Sequence, residues 1–202
     1  MQAWAALAAP WQASLELAWE AYRAGTVPVG AVVVDGDGAI VARGRNRIFE
    51  DGPNNGALAG TRLAHAEVNA LAQLPSSARY ESHTIYCALE PCLLCLGATL
   101  MSTVGAIRYA AADPAGGACR ARIRTPDLER RGLAIDGPLE GWPSQLVQTL
   151  SVAFWLTRAS ARYRWILDAY GPDRRAAAAR LLALGDPGEQ LEEALPRLLP
   201  LL

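Results

Sequence analysis

The sequence contains no lysine and has almost no excess of charge of either sign. All 19 basic residues are arginines, and with 20 acidic residues the formal net charge is −1 at pH 7. A protein that binds many phosphates usually carries a strong cationic surplus, so the overall charge does not require a long nucleic acid as partner. The segment 119–202 holds 12 arginines against 10 acids, and because the acids are interspersed, a solvated helical face explains this better than a nucleic-acid footprint.

Cysteines and long apolar runs are also scarce. Four cysteines are few for a disulfide scaffold in a chain of 202 residues, and Met1 to Pro10 has no basic region ahead of an apolar run that would form a secretion signal. No stretch approaches the roughly 18 consecutive apolar residues of a membrane-spanning helix. We therefore expect a soluble, cytoplasmic protein without a membrane partner.

The chain does contain enough apolar residues, 51% of the total, to form a substantial core. Periodicity and turn residues predict a helix at 10–24, a hairpin of strands 29–34 and 39–42, a long loop at 45–61, a helix at 64–74, a strand at 84–89, a helix at 91–101, a strand at 106–111, a short edge strand at 133–135, and helices near 144–158, 160–169, 173–184 and 189–199. This order predicts an α/β fold with helices over a mixed sheet. The aromatic stripe of the first helix is interpreted as core rather than as a base-stacking surface.

Cys92 and Cys95 stand three residues apart at the start of the helix predicted at 91–101. Residues at this spacing share one helix face, and the positive end of the helix dipole favours thiolates there. Zinc is bound by deprotonated cysteine sulfur and by histidine nitrogen. By itself the pair is ambiguous between a metal site and a redox dithiol.

His65 and Glu67 favour the metal site. His65 begins the preceding helix, and one strand lies between that helix and Cys92, so two helix N-termini can meet at one edge of the sheet. One histidine and two cysteines give the three protein ligands of a catalytic zinc, which keeps its fourth position for water. Glu67 could take a proton from that water and pass it to a departing amine. Cys87 lies within a strand and Cys119 in a loop, and both are predicted to pack as small hydrophobic residues.

With these motifs the sequence resembles the cytidine and deoxycytidylate deaminase superfamily, in particular its bacterial branch of tRNA-adenosine deaminases and nucleobase (guanine, cytosine) deaminases. The resemblance extends from about residue 10 to 120 and rests on segments 27–32, 65–67, 89–95 and 112–118 and on Asn46. His-x-Glu followed by Pro-Cys-x-x-Cys is the signature of zinc-dependent base deaminases.

The resemblance implies a three-layer fold with a mixed five-stranded sheet covered by helices. It implies one Zn²⁺ on His65, Cys92 and Cys95, Glu67 as the catalytic proton shuttle, and contacts to the base from Asn46 and the backbone of Ala66. It also implies a homodimer. We expect residues 1–120 to form the catalytic core and residues 121–202 to complete the fold and add a helical C-terminal extension rather than an independent domain.

The substrate is less well specified by these motifs. The 18 residues between Asn46 and His65 form a longer loop than we expect in a tRNA deaminase, and the C-terminal helices lack a concentrated basic surface. Both features favour a free nucleobase, a nucleoside or a related small heterocycle. Deamination of tRNA adenosine to inosine at the wobble position is the alternative. A CxxC redox protein and a catalytically silent zinc-binding subunit are the other possibilities, although neither needs Glu67.

Overall fold

A five-stranded mixed sheet forms the centre of the structure, a computed structural model that describes residues 2–52, 56–119, 126–158, 160–185 and 190–202. Its strands are β1 (Gly30–Val34), β2 (Ile40–Arg45), β3 (Thr84–Leu89), β4 (Ala106–Ala111) and β5 (Ala134–Asp136), in the spatial order β2-β1-β3-β4-β5. Strand β1 is antiparallel to β2 and β3, whereas β3, β4 and β5 are parallel. The predicted α/β fold with a mixed five-stranded sheet is confirmed.

Eight helices accompany the sheet in the described residues: α1 (Gln2–Ala5), α2 (Ala9–Arg23), α3 (Ala66–Leu71), α4 (Leu93–Met101), α5 (Pro126–Arg131), α6 (Trp142–Thr157), α7 (Arg164–Leu184) and α8 (Leu191–Leu198). Helix α7 is interrupted at Gly171, whose φ of 79° and ψ of 173° are not helical. The two helices predicted on either side of Gly171 are therefore two segments of α7. No helix within the described residues has the length and apolarity needed to cross a membrane.

Two glycines bring helices close to opposite faces of the sheet. A Cβ on Gly30 would collide with the backbone of Ser14 in α2, and a Cβ on Gly44 would collide with the carbonyl oxygen of Ala66 in α3. The paired positions of β1 and β2 place these two glycines on opposite faces. The result is a layer of helix, a sheet and a second layer of helix, in which α3 is held directly against β2.

The C-terminal helices pack on the same core as the sheet. Leu146 and Leu150 of α6 and Leu191 and Leu195 of α8 are all buried in one cluster with the strands. Helix α6 contacts β4 and α2. The boundary expected at residues 120 and 121 lies outside the described residues, as do the predicted turn residues 53–55 and 186–188.

Several predicted boundaries were wrong by a few residues. Strand β2 continues to Arg45 because Arg43, Gly44 and Arg45 pair with β1, although their polar character does not suggest a strand. The helix predicted at 64–74 is regular only from Ala66 to Leu71. The helix predicted to begin near Pro91 begins at Leu93, with Cys92 as its N-cap residue. The short helices α1 and α5 were not predicted.

Candidate active site

The predicted metal ligands lie at the N-termini of α3 and α4. His65 is the N-cap residue of α3 and Cys92 is the N-cap residue of α4, both with extended backbone angles, and Cys95 is the third residue of α4. Because α3 and α4 pack against each other, their N-termini meet beside the sheet. The structure therefore brings all three residues together, as the spacing predicted.

The three ligand atoms have the separations that a tetrahedral zinc ion requires. Nδ1 of His65 lies 3.7 Å from Sγ of Cys92 and 3.4 Å from Sγ of Cys95, and the two sulfurs are 3.7 Å apart. Zn–S bonds of about 2.3 Å and Zn–N bonds of about 2.0–2.1 Å in a tetrahedron give S···S of about 3.8 Å and S···N of about 3.6 Å. These residues form a site for one zinc ion with one coordination position left over.

The electrostatics of the two sulfurs also suit a cation. A hydrogen bond from the Cys95 thiol, with another from the His65 ring, lowers the pKa of Cys92 to about 4, against the opposing effect of burial. The same pairing with Cys92, together with burial, raises the pKa of Cys95. Two sulfurs this close and this buried therefore hold one negative charge, whereas a divalent cation stabilises both as thiolates.

Glu67 lies two residues beyond His65 and is almost fully buried, with 3% of its surface exposed. Burial raises the pKa of its carboxyl, because water no longer solvates the charged form. A carboxyl group whose pKa is raised accepts a proton more readily than an exposed one does, which general acid–base catalysis requires. Its position beside the zinc site suits the role of proton carrier.

A cavity of about 360 Å³ opens onto these groups. His65, Cys92 and Glu67 line it, and so does Asn46. Ala66 is buried between His65 and Glu67, with its carbonyl oxygen facing Gly44 of β2. The cavity size lies at the lower end of the range for small-molecule sites.

Asn46 is held in one orientation by two hydrogen bonds to its side-chain oxygen. The hydroxyl of Thr26 donates to Oδ1 at 2.9 Å, and the backbone N–H of Ile48 donates to it at 3.1 Å. The backbone N–H of Phe49 in turn donates to the Thr26 hydroxyl at 3.3 Å. With Oδ1 occupied, Nδ2 of Asn46 is the group that this side chain can offer as a donor.

Five further wall residues lie outside the motifs identified in the sequence. Ile48, Phe49 and Arg62 contribute from the long loop, and Trp155 and Tyr163 contribute from the C-terminal helices. Trp155 lies in an apolar helical pattern that is typical of core, so its role as a wall residue had no sequence signal. The remaining lining residues are Val27, Val29, Leu89, Glu90 and Asp113.

The other two cysteines lie apart from the ligand cluster. Cys87 is buried in β3, and Cys119 has its sulfur 3.9 Å from the carbonyl oxygen of Pro91. In the described part of the chain, the cluster of potential metal ligands consists of His65, Cys92 and Cys95. The interpretation of Cys87 and Cys119 as packing residues agrees with this geometry.

A helix-covered mixed sheet with a His-Cys-Cys zinc site and a buried glutamate beside it defines the class of zinc-binding deaminases. The family described as cytidine and deoxycytidylate deaminase zinc-binding region matches residues 8–111, just over half of the 202 residues. The chain therefore belongs to the cytidine and deoxycytidylate deaminase family. The matched region contains the metal ligands, Glu67 and Asn46, but it ends before Trp155 and Tyr163.

Relatives with similar sequences include proteins connected with tRNA. The chain is 44% identical over 108 residues to a tRNA(Ile)-lysidine synthase of Deinococcus radiodurans, a match that covers 52% of this chain and 17% of that protein. It is 37% identical over 114 residues to a tRNA-specific adenosine deaminase of Haemophilus influenzae, covering 54% of this chain and 61% of that protein. The chain thus spans less than two thirds of the length of these relatives.

Solved structures with the same fold include deaminases of two kinds. A structure from a study of A-to-I editing by tRNA:A34 deaminases superimposes with a TM-score of 0.54 and 26% identity, covering 70% of this chain and 95% of the other. Guanine deaminase from Nitrosomonas europaea gives a TM-score of 0.54 at 22% identity, covering 73% of this chain and 85% of the other. The second likeness concerns the fold alone.

Proposed function

We propose that this protein is a zinc-dependent hydrolytic deaminase that removes an exocyclic amino group from a free nucleobase, a nucleoside or a related small heterocycle, with release of ammonia. The observation that carries the proposal is the cavity of about 360 Å³, which joins the zinc ligands and Glu67 to Asn46 and to aromatic walls. Flat aromatic faces bind planar rings. The family supplies the chemistry, and the cavity favours a small planar substrate.

The reaction adds water to the ring carbon that carries the amino group, breaks the carbon–nitrogen bond and leaves a carbonyl group and ammonia. His65, Cys92 and Cys95 would hold the zinc ion, which would lower the pKa of a bound water and so supply the nucleophile at neutral pH. Glu67 takes a proton from the water and passes it to the ring nitrogen beside the reacting carbon. It then carries the remaining hydroxyl proton to the amino nitrogen, which leaves as ammonia while the added oxygen becomes the carbonyl. Burial of Glu67 keeps bulk water from competing for that proton.

Asn46 positions the base in this proposal. Its Oδ1 is occupied by Thr26 and Ile48, so Nδ2 donates a hydrogen bond to a carbonyl oxygen or an unprotonated ring nitrogen of the substrate. The backbone of Ala66 is the second predicted contact. A hydrogen-bond acceptor on the ring is therefore a required feature of the substrate.

A panel of candidate substrates tests the function. Purified zinc-loaded protein is incubated with guanine, cytosine, adenine, cytidine and guanosine, and ammonia release is measured against a Glu67→Gln variant with the same zinc content. We expect turnover of at least one small substrate, and a loss of about 10²–10⁴-fold in the variant. Equal rates in both proteins would remove Glu67 from the mechanism.

Deamination of tRNA adenosine at the wobble position is the second candidate, because characterised relatives at up to 37% identity are tRNA-specific adenosine deaminases. This function predicts tRNA binding that weakens steeply as salt rises, because phosphate contacts release counterions. Turnover of an anticodon-arm RNA with no activity on any member of the small-molecule panel would establish it and overturn the first proposal.

We also propose that two copies of the chain associate through the outer face of α4. Leu93, Leu94 and Met101 of this helix are 63%, 39% and 75% exposed. Gly97 lies within the same face with open space in front of it. Exposed apolar patches of this kind are characteristic of protein interfaces, and a glycine in the centre allows close approach of a second helix.

A further inference from the structure

The outer wall of the cavity is a continuous row of aromatic rings that joins the long loop to the C-terminal helices. Phe49 packs on Phe154 with ring centroids 5.7 Å apart, Phe154 packs on Trp155 at 4.9 Å, and Trp155 packs on Tyr163 at 4.7 Å. We call these four residues the aromatic row. Phe49, Trp155 and Tyr163 line the cavity, whereas Phe154 is buried and is not among the lining residues.

Arg158 lies at the loop end of this row. Its guanidinium carbon is 3.9 Å from the centroid of the Phe49 ring and 4.9 Å from that of Phe154. Both distances are well within the range of cation–π contacts, and a planar guanidinium also stacks on aromatic faces. Arg158 therefore contacts the two rings where the loop meets helix α6.

The same side chain also reaches a third element. Nη2 of Arg158 donates a hydrogen bond of 2.8 Å to the carbonyl oxygen of Gly25, just after the end of α2. The C-terminal end of a helix carries a partial negative charge and favours a cation. Next to Gly25, Thr26 bonds to Asn46 and to the backbone of Phe49, so Arg158 closes a ring of contacts around the turn that carries both cavity residues.

The rest of this turn is held by ionic contacts on its other side. Glu50 pairs with Arg45 and with Arg47, the latter at 2.8 Å. These contacts fix the backbone of the turn, but they do not touch the Phe49 ring, which is 40% exposed. The contacts that restrain the ring come from Phe154 and Arg158.

On these contacts we propose that Arg158 is a positioning residue that holds the Phe49 ring against the C-terminal helices and thereby sets the width of the substrate cavity. This proposal rests on the function proposed above, because it assigns a role at the same site. Arg158 acts on binding and on substrate size rather than on the chemical step, since it touches neither the zinc ligands nor Glu67. Without Arg158, the Phe49 ring moves outward. The cavity then accepts larger substrates but binds its substrates less tightly.

Steady-state kinetics on the best small substrate test the proposal. Arg158→Ala should raise KM on the order of tenfold, leave kcat within about twofold, and shift the ratio of nucleoside to free-base turnover towards the nucleoside. Arg158→Lys keeps the charge but loses the planar stack. Its KM and its turnover ratio should lie between those of the wild type and of Arg158→Ala. Arg175→Ala removes an exposed arginine that pairs with Asp168 on α7 and should match the wild type. An unchanged KM in Arg158→Ala, or a loss confined to kcat, would overturn the proposal.

A second measurement does not depend on turnover. Chymotrypsin cleaves after aromatic residues, so the rate of cleavage after Phe49 in the native zinc-loaded protein reports how firmly the ring is held. We expect faster cleavage in Arg158→Ala than in Arg175→Ala, on the order of tenfold. Equal rates would reject the positioning role, whatever the substrate is. Faster cleavage without turnover of any small substrate would reject the proposed function and retain the role of Arg158.

Loss of folding in Arg158→Ala would be recognised by loss of bound zinc or of a cooperative thermal transition. In that event Phe49→Leu provides the test, because it keeps an apolar side chain but removes the ring on which Arg158 stacks. It should raise KM and relax the size preference in the same direction. Wild-type kinetics in Phe49→Leu would overturn the proposal.

Discussion

The carboxylate of Glu90 accepts a hydrogen bond from the backbone N–H of Asp113, with an N···O distance of 3.2 Å. Glu90 follows β3 and Asp113 follows β4, so the bond joins the ends of two parallel strands where both residues line the cavity. Gly117 packs against this pair, and a Cβ there would collide with the Glu90 carboxylate and with the carbonyl oxygen of Asp113.

Gly117→Ala should therefore destabilise the protein by about 1–3 kcal/mol, the usual effect of overpacking a tight site. Gly36→Ala is the matched control, because its new methyl group would be in ordinary van der Waals contact with Ser82; it should change stability by less than about 0.5 kcal/mol. Urea unfolding measures both. Equal stability of the two variants would show that Glu90 and Asp113 can move away from the new methyl group without lowering the free energy of unfolding.

Replacement of a zinc ligand should remove the metal, whereas replacement of a neighbouring cysteine should not. Cys92→Ser is expected to reduce bound zinc from about one per chain to near zero. Cys119→Ser should retain the metal, because its sulfur lies outside the ligand cluster. Elemental analysis after gel filtration gives the stoichiometry. Zinc retained in Cys92→Ser would exclude this cysteine as a necessary ligand.

Asn46→Asp should separate substrate binding from folding. An aspartate keeps an oxygen to accept the bonds from Thr26 and Ile48, but replaces the amide donor with a second acceptor. We expect a loss of kcat/KM of about 10-fold or more. Bound zinc should be unchanged, and so should the far-UV circular dichroism. Full activity in Asn46→Asp would show that the amide nitrogen does not contact the substrate.

Stability should fall slightly as pH rises through the range in which Glu16 ionises. Burial raises the pKa of Glu16, and Glu20, Glu192 and Glu193 add to this effect, against the bond that it accepts from the Leu191 N–H. A raised pKa means that the protonated form is favoured in the folded state. The contribution is thus present below the pKa of the unfolded chain and is lost as pH rises through that of the folded protein.

Glu16→Gln removes this titration while keeping an acceptor for Leu191. Its melting temperature at pH 7 should exceed that of the wild type by roughly 1–4 °C, and the difference should vanish near pH 4. Glu20 lies one turn beyond Glu16 on α2 and is exposed, and Glu20→Gln serves as the control with a smaller effect. A constant difference between pH 4 and pH 7 would contradict the assignment to Glu16.

Met101→Asp should weaken dimers if α4 forms the interface. A charge placed in an apolar contact loses solvation without gaining a partner, so the dissociation constant should rise at least about tenfold. Leu182→Asp alters an exposed leucine on α7 and should leave association unchanged. Light scattering over a range of concentrations measures both. A monomeric wild-type protein would rule out this interface.

The metal centre was predictable because local sequence determines it. His65 and Cys92 each stand at a helix N-terminus, and the intervening strand β3 fixes where these termini meet. Helix and strand periodicities identify such elements, and the i, i+3 spacing of the cysteines already places both sulfurs on one side. The same periodicities predicted the strands of the mixed sheet, but not their spatial order, and the polar end of β2 concealed its true length.

The cavity walls were not predictable because they depend on distant contacts between ordinary-looking residues. Trp155 lies in an apolar helix, where periodicity cannot tell a core residue from one that faces a cavity. Phe49 lies in a loop without regular pattern, and its packing on Phe154 joins segments about a hundred residues apart. Asn46 was identified through family resemblance, and the partner that orients it, Thr26, has no distinguishing sequence feature.

Phe49 and Trp155 both pack on Phe154 and both line the cavity, but they differ in how freely they can be replaced. Trp155 belongs to α6, whose Leu146 and Leu150 are part of the central core, so a change of side chain there also disturbs the fold. Phe49 lies on a partly exposed turn and can change size at little cost in stability. Attempts to redirect the enzyme to other heterocycles should therefore begin at Phe49, where new specificity and foldability do not compete.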